Sequence, residues 1–489
     1  MKKFLSHLTW LMALNLLIKP AYLLVVDAKI QDAVGPEAWG SYFPLLSLGI
    51  LLNIFLDVGL ANHMTRLVSK TPSEINGRYQ SGWRTKLGLF PLYIATLMVI
   101  GWLLGYRGES LEWLLWIGLN QAMLSAVLYV RAGLQATAAH IADAWVSVTD
   151  RALLLLAMGT LLWRQDVFAI EWLLAGTTGA LTIAFAAGYW RLMKSQSQHS
   201  RAQLPNPKEP LWMNLRESWP YALLFLLMMT YHRVDAIMLE RMAPNGAFQA
   251  GWYAMGYRLF EAANMIGFLF ATLLLPYFTR MLRENQDVRP LATAVSQLLA
   301  IGGGSVAWVA FTFPTAFLRI FYSEETSAAS PALPWLMLSF AIFAQGYVFS
   351  TLLTARGDLK RLNQLALLGA ILNISLNAYW LTHADAQNAG IGCAAISALT
   401  QLAVVGLQTA RAITAHRGKI WWKILRTALI HSAFAGAICA VFSRWADASE
   451  GMTLACLACC LASGLLPGVT NYQTISDLLS DKMNTFADS

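Results

Sequence analysis

WPYALLFLLMMTYHRVDAIMLERM, residues 219–242, is followed after a short connection by GWYAMGYRLFEAANMIGFLFATLLLP, residues 251–276. These two runs decide how the chain is read. Each is long and apolar enough to cross a bilayer as a helix, which takes about 20 residues. Each also carries ionisable residues where hydrocarbon penalises them: His232, Arg233 and Asp235 on the first, Arg258 and Glu261 on the second. A charge near the centre of a membrane helix costs roughly 2.5–3.5 kcal/mol on insertion scales, so such groups face protein or a water-filled cavity. Tyr253, Tyr257, Glu261 and Asn264 stand at i, i+4, i+8 and i+11, a polar stripe along one face, with Arg258 beside it. A helix facing only lipid has no use for that stripe.

The rest of the chain agrees with these two runs. Of its 489 residues 57% are hydrophobic and 13% charged, against about 25% charged in soluble domains. The mean hydropathy is +0.50. The expected fold is all-α, a polytopic membrane protein. Open sheets leave backbone groups unsatisfied in lipid, and the apolar runs are too long for barrel strands. The net charge of +8 is read as basic residues gathered in cytoplasmic loops, so no nucleic-acid partner is expected. Residues 1–26 begin basic, but their apolar run is too long for a signal-peptide core; they are read as the first span. Five cysteines fall in the last fifth of the chain. The C-x-x-C-C run at 456–460 has no His or carboxylate beside it and is read as small buried residues, so no metal is expected.

Fourteen spans are expected, near 4–26, 39–62, 84–105, 112–132, 144–163, 170–192, 217–240, 250–277, 291–313, 333–354, 362–381, 389–411, 421–442 and 452–470. With the N-terminus cytoplasmic, 25 of the 35 Lys and Arg lie on the inside, six lie outside and four fall within spans. That asymmetry predicts both termini in the cytoplasm. Residues 193–216, basic and rich in Ser and Gln, read as a cytoplasmic linker. The chain then divides into a six-helix lobe over 1–192, that linker, a second six-helix lobe over 217–412, two additional transmembrane helices over 413–470 and a cytoplasmic tail over 471–489.

Short matches support a repeat. Val26-Asp27-Ala28 pairs with Val234-Asp235-Ala236, and Gly40-x-Tyr42 with Gly251-x-Tyr253. Thr65-Arg66 pairs with Thr279-Arg280, and Arg131-Ala132-Gly133 with Ala355-Arg356-Gly357. Four matches in order predict two pseudo-symmetric lobes with the same membrane sidedness. Transporters built this way hold substrate at the repeat interface.

Together with D-V-G-L-A-N (Asp57 to Asn62), R-V-D (Arg233 to Asp235) and Pro276 closing a span, this organisation resembles the Wzx-type polysaccharide or O-antigen flippases. These belong to the multidrug/oligosaccharidyl-lipid/polysaccharide (MOP) exporter superfamily. The resemblance implies a bacterial inner-membrane protein of polysaccharide and lipopolysaccharide biosynthesis. It would carry a polyprenyl-diphosphate-linked oligosaccharide from the cytoplasmic to the outer leaflet by alternating access. It further implies H+ or Na+ as the coupling ion and glycan polymerase or assembly proteins as partners.

Four in-span cations are the candidate substrate-binding groups: Lys19, Arg151, Arg233 and Arg258. Arginine's planar fork and the lysine ammonium both suit a diphosphate. The competing reading is ion pairing, of Arg258 with Glu261 and of Arg151 with Asp150 or Asp143. Glu261 is the candidate for ion coupling. Asp235, Tyr257, Asn264 and Asp57 are candidate polar groups of the cavity. Asn373 and Asn377 are read as helix–helix glue, and Gly302-Gly303-Gly304 as a close helix contact. The tryptophans at 10, 39, 83, 113, 116, 172, 190, 252, 421 and 422 are read as interfacial anchors. No Walker-type loop and no Ser/His/Asp set stands out, so neither ATP use nor catalysis is expected, and no cofactor. The rival readings are a cation/drug antiporter, which calls for an acidic cavity, a membrane glycan polymerase or ligase, which calls for a large outer loop, and a non-transporting scaffold. Cations outnumber carboxylates within these spans, against the antiporter.

Overall fold

A computed structural model describes residues 15, 17–57, 75–137, 139–164, 168–199, 211–323, 326–412, 417–444, 449–464 and 466. Among them every regular element is helical. Eleven helices are long and apolar enough to cross a membrane, and they coincide with expected spans three to thirteen. The protein is a multi-pass membrane protein. Of expected span fourteen the described part is Glu450–Ser463, 14 residues. At 1.5 Å per residue it is about 21 Å long, short of a hydrocarbon core of about 30 Å.

The chain forms two compact units, Met1–Arg241 and Met242–Ser489. In the first, a helix through 17–21 passes into a π-helical turn, Tyr22–Asp27, and on into α1 (Ala28–Leu52). The loop expected after residue 26 is therefore helix. The path breaks at Gly35, where φ is +81°, a backbone conformation glycine adopts at no steric cost, and Pro36 then restarts the helix. Next come α2 (Ile54–Asp57), α3 (Ile75–Leu103), α4 (Glu109–Ala136), α5 (His140–Arg164), α6 (Ile170–His199) and α7 (Leu211–Met242). Helices α6 and α7 run well into the expected linker, because Lys, Arg, Gln, Glu and Leu sustain a helix beyond the bilayer. Helix α4 is the hub, packing on α1, α3 and α6.

The second unit holds α8 (Gly246–Arg283), α9 (Arg289–Thr312), two short helices α10 (Pro314–Arg319) and α11 (Thr326–Ala329), then α12 (Leu333–Ala355), α13 (Leu359–Leu381), α14 (Ala389–Ala412), α15 (Arg417–Phe442) and α16 (Glu450–Ser463). Its hub is α12, which packs on α8, α9 and α14. Spans two, three and six around span four in one unit thus correspond to spans eight, nine and twelve around span ten in the other. The repeat suggested by short sequence matches is a repeat of packing. The paired positions share burial: Asp27 and Asp235 are both buried, as are Tyr42 and Tyr253.

Small residues allow the close crossings. A Cβ on Gly303 would sit 2.8 Å from Ala341 Cα, so α9 meets α12 backbone to backbone there. The tryptophan reading needs correction at one position. Trp39 is fully buried. Trp113 and Trp116 donate to Glu171 Oε1 at 2.8 Å and Thr178 Oγ1 at 2.9 Å, bonding α4 to α6. Trp172, Trp190 and Trp422 are exposed as anchors are, whereas Trp10 and the side chain of Trp421 lie outside the described residues.

Candidate functional site

The first unit brings a polar seam together inside its apolar helices. On α5, Asp143, Ser147, Asp150 and Arg151 fall at i, i+4, i+7 and i+8, so they share one face and span about 12 Å. On the first helix Asn15, Lys19 and Tyr22 fall at i, i+4 and i+7. The two stripes meet. Asn15 Nδ2 donates to Ser147 Oγ at 2.9 Å. The Arg151 guanidinium lies 5.1 Å from the centre of the Tyr22 ring, and its Nε is 3.6 Å from Asp150 Oδ2. The Tyr22 hydroxyl donates to Asp27 Oδ1 at 3.5 Å. The π-helical turn Tyr22–Asp27 widens the helix where this happens, and such turns recur at functional positions.

At one end of the seam Asp143 is clasped from α4. Arg131 Nε donates to its Oδ1 at 2.7 Å and Gln135 Nε2 to its Oδ2 at 2.8 Å. Arg131 reads from the sequence as a loop cation, yet it is largely buried. Arg131 and Gln135 stand at i, i+4, and that spacing opposite the α5 stripe is the signal that marks them.

Lys19 sits amid these charges. Arg131, Arg151, Asp143 and Asp150 all act on it electrostatically. It is half-buried and makes no ion pair or hydrogen bond among the described residues. Asp143 is committed to Arg131 and Gln135, and Asp150 faces Arg151. The expected excess of cations does not hold in this cluster. Lys19, Arg131 and Arg151 are matched in number by Asp27, Asp143 and Asp150, because the π-helical turn carries Asp27 into the interior.

On α7, Tyr231 and Asp235 are buried one turn apart, and Arg233, about 200° round the helix from Asp235, is half-buried. The end of α7 is tied down within the same unit. Tyr106 Oη donates to Glu240 Oε2 at 2.9 Å, while Arg241 pairs with Glu240 at 2.7 Å and stacks 3.6 Å over the Tyr106 ring. Asp57 ends α2, and its side chain lies outside the described residues, as does the rest of the D-V-G-L-A-N stretch.

In the second unit the α8 stripe forms as spaced. Tyr253 and Tyr257 stack with centroids 5.8 Å apart, and both are buried. Arg258 Nη1 donates to Glu261 Oε2 at 2.6 Å, pairing a buried guanidinium with a half-buried carboxylate. Asn264 Oδ1 is buried without a hydrogen-bond partner among the described residues. Asn377 Nδ2 donates to Asn373 Oδ1 at 3.3 Å along α13.

A protein-family model described as polysaccharide biosynthesis protein matches residues 5–282. No curated protein sequence matches the chain. Solved structures do. The lipid II flippase MurJ in its inward closed conformation is 13% identical, with a TM-score of 0.67 over 99% of this chain and 100% of that one. An inward-facing multidrug resistance MATE family transporter of the MOP superfamily is 14% identical, with a TM-score of 0.62 over 81% and 95%. A MOP superfamily transporter from Pyrococcus furiosus, described by the reverse polarity of its binding pocket, is 13% identical, with a TM-score of 0.60 over 83% and 95%. The fold is that of MOP-superfamily transporters.

Proposed function

We propose that this chain, which belongs to the polysaccharide biosynthesis protein family, is a flippase for a lipid-linked oligosaccharide with an anionic diphosphate headgroup. One observation carries this reading: Lys19 is an in-span ammonium with no counter-ion in contact among the described residues, held beside the arginines of a buried seam. An in-span cation left without a partner costs roughly 2.5–3.5 kcal/mol. A diphosphate oxygen would offset that cost by a charge-assisted hydrogen bond, and Arg151, whose Asp150 contact is long at 3.6 Å, can turn its fork to the same anion. Arg131, locked at 2.7 Å to Asp143, positions that carboxylate and leaves Lys19 available.

The two six-helix repeats, 1–192 and 217–412, would provide alternating access, carrying the headgroup from the cytoplasmic to the outer leaflet while the lipid tail stays in the bilayer. Arg233, Asp235, Tyr257, Asn264 and Asp57 are assigned to polar surfaces of the transport path. Arg258 and Glu261 are assigned as a pair whose opening by H+ or Na+ would couple transport to an ion gradient. The protein would work in a bacterial inner membrane with both termini cytoplasmic, beside the polymerase that consumes the flipped glycan. MurJ, named as a lipid II flippase, supports a lipid-linked cargo on this fold.

The antiporter reading has one observation in its favour, the three buried carboxylates Asp27, Asp143 and Asp150. Transport in vesicles separates the two. Lys19→Met should abolish translocation of a labelled polyprenyl-diphosphate glycan, and Lys19→Arg should restore it. Wild-type translocation by Lys19→Met, or uptake of organic cations instead of the glycan, would overturn the assignment.

A further inference from the structure

Three thiols meet where the last two helices pack. Cys439 on α15 lies 3.6 Å from Cys456 and 3.9 Å from Cys460 on α16, sulfur to sulfur, and all three Sγ atoms fall within 4.8 Å of one another. Their exposures are 2%, 0% and 0%. The C-x-x-C-C run alone suggests neighbours that are not the ones brought together. Cys456 and Cys460 share a face at i, i+4, Cys459 points outward and is exposed, and Cys439 arrives from the other helix. Cys393 is elsewhere, buried in α14.

We propose that Cys439, Cys456 and Cys460 form a binding site for a thiophilic d10 cation of the Zn2+ or Cu+ class. The spacing carries the argument. A metal–sulfur bond of about 2.3 Å places two ligand sulfurs about 3.8 Å apart at a tetrahedral angle and about 4.0 Å apart at a trigonal one. The separations of 3.6 and 3.9 Å bracket the first of these within 0.2 Å. Each sulfur binds as a thiolate, so three thiol protons are released to solvent and the charge of Zn2+ offsets most of the negative charge left behind. Soft sulfur ligands select these ions over Mg2+ or Ca2+. The consequence would be mechanical. Helix α16 is 14 residues of mostly small side chains, held by α15, α9 and α10. A bound ion would pin it to α15.

The test uses the full-length protein purified in detergent with its thiols reduced. It is incubated with Zn2+, or with Cu+ under reductant, then desalted and assayed for metal per chain. The expected result is one ion per chain, lost on C439S, C456S or C460S and kept by C459S and C393S. Sulfur-to-metal charge-transfer absorption on Cd2+ addition reads the same site without relying on a variant that folds. Wild-type protein with fully reduced thiols that retains no ion overturns the proposal. So does metal retained by C456S, lost equally in C459S, or replaced by a Cys439–Cys456 disulfide that excludes metal.

Discussion

Replacing Arg131 by Met tests whether the polar seam of the first unit is held by its α4–α5 clasp. Asp143 accepts from Arg131 Nε at 2.7 Å and from Gln135 Nε2 at 2.8 Å, and its side chain is 3% exposed. Removing the guanidinium leaves a buried carboxylate with one neutral donor. Breaking a buried pair from one side costs about 3–5 kcal/mol, and Arg131 at 17% exposure points to the lower end, about 3 kcal/mol. At roughly 2–4 °C per kcal/mol for a unit of this size, the melting midpoint should fall by about 6–12 °C. Asp143→Asn should cost less, about 1–2 kcal/mol, because Gln135 keeps an acceptor and the freed guanidinium reaches solvent. Arg131→Met with Asp143→Leu removes both charges and should recover most of the loss, since apolar replacement of a buried pair is near neutral. The assay is thermal unfolding of purified protein, read as loss of the monodisperse size-exclusion peak, taken round the full double-mutant cycle. An Arg131→Met protein that melts with wild type, or a double variant as unstable as the sum of the singles, would show that the clasp is not what holds α4 to α5.

Three further outcomes follow from the geometry. Gly303→Leu should cost about 1–3 kcal/mol by overpacking, because its Cβ would lie 2.8 Å from Ala341 Cα, whereas Gly302→Leu, with nothing within 4 Å, should be tolerated; paired melting curves decide. Tyr106→Phe removes the 2.9 Å bond to Glu240 and should lower stability by about 1–2 kcal/mol, with increased proteolysis near residue 241 as the readout. Glu261→Gln breaks the 2.6 Å pair with Arg258, whose side chains are 15% and 6% exposed; stability should drop by about 3 kcal/mol. Any response of glycan translocation to an imposed H+ or Na+ gradient should vanish as well. A gradient response unchanged from wild type in vesicles would remove Glu261 from coupling.

Composition and run length alone determined that this chain is a bundle of membrane helices. Hydrocarbon permits no other fold for runs such as 219–242, and insertion penalties mark Lys19, Arg151, Arg233 and Arg258 wherever the chain goes. The repeat was also legible, because Tyr42 and Tyr253, matched in the sequence, are buried on helices that pack alike on the two hubs. The pairing of Arg258 with Glu261 was readable too, since i, i+3 neighbours on one helix must meet. What lay beyond the sequence was every relation between helices. Nothing in the order of residues says that Arg131 reaches Asp143, that Trp39 is core rather than anchor, or that Cys439 joins Cys456 and Cys460 while Cys459 does not. Those contacts depend on rotation and crossing of helices about one another. Within a bilayer the hydrophobic effect does not choose among such rotations; close packing at residues like Gly303 and interhelical hydrogen bonds like that from Trp116 to Thr178 do.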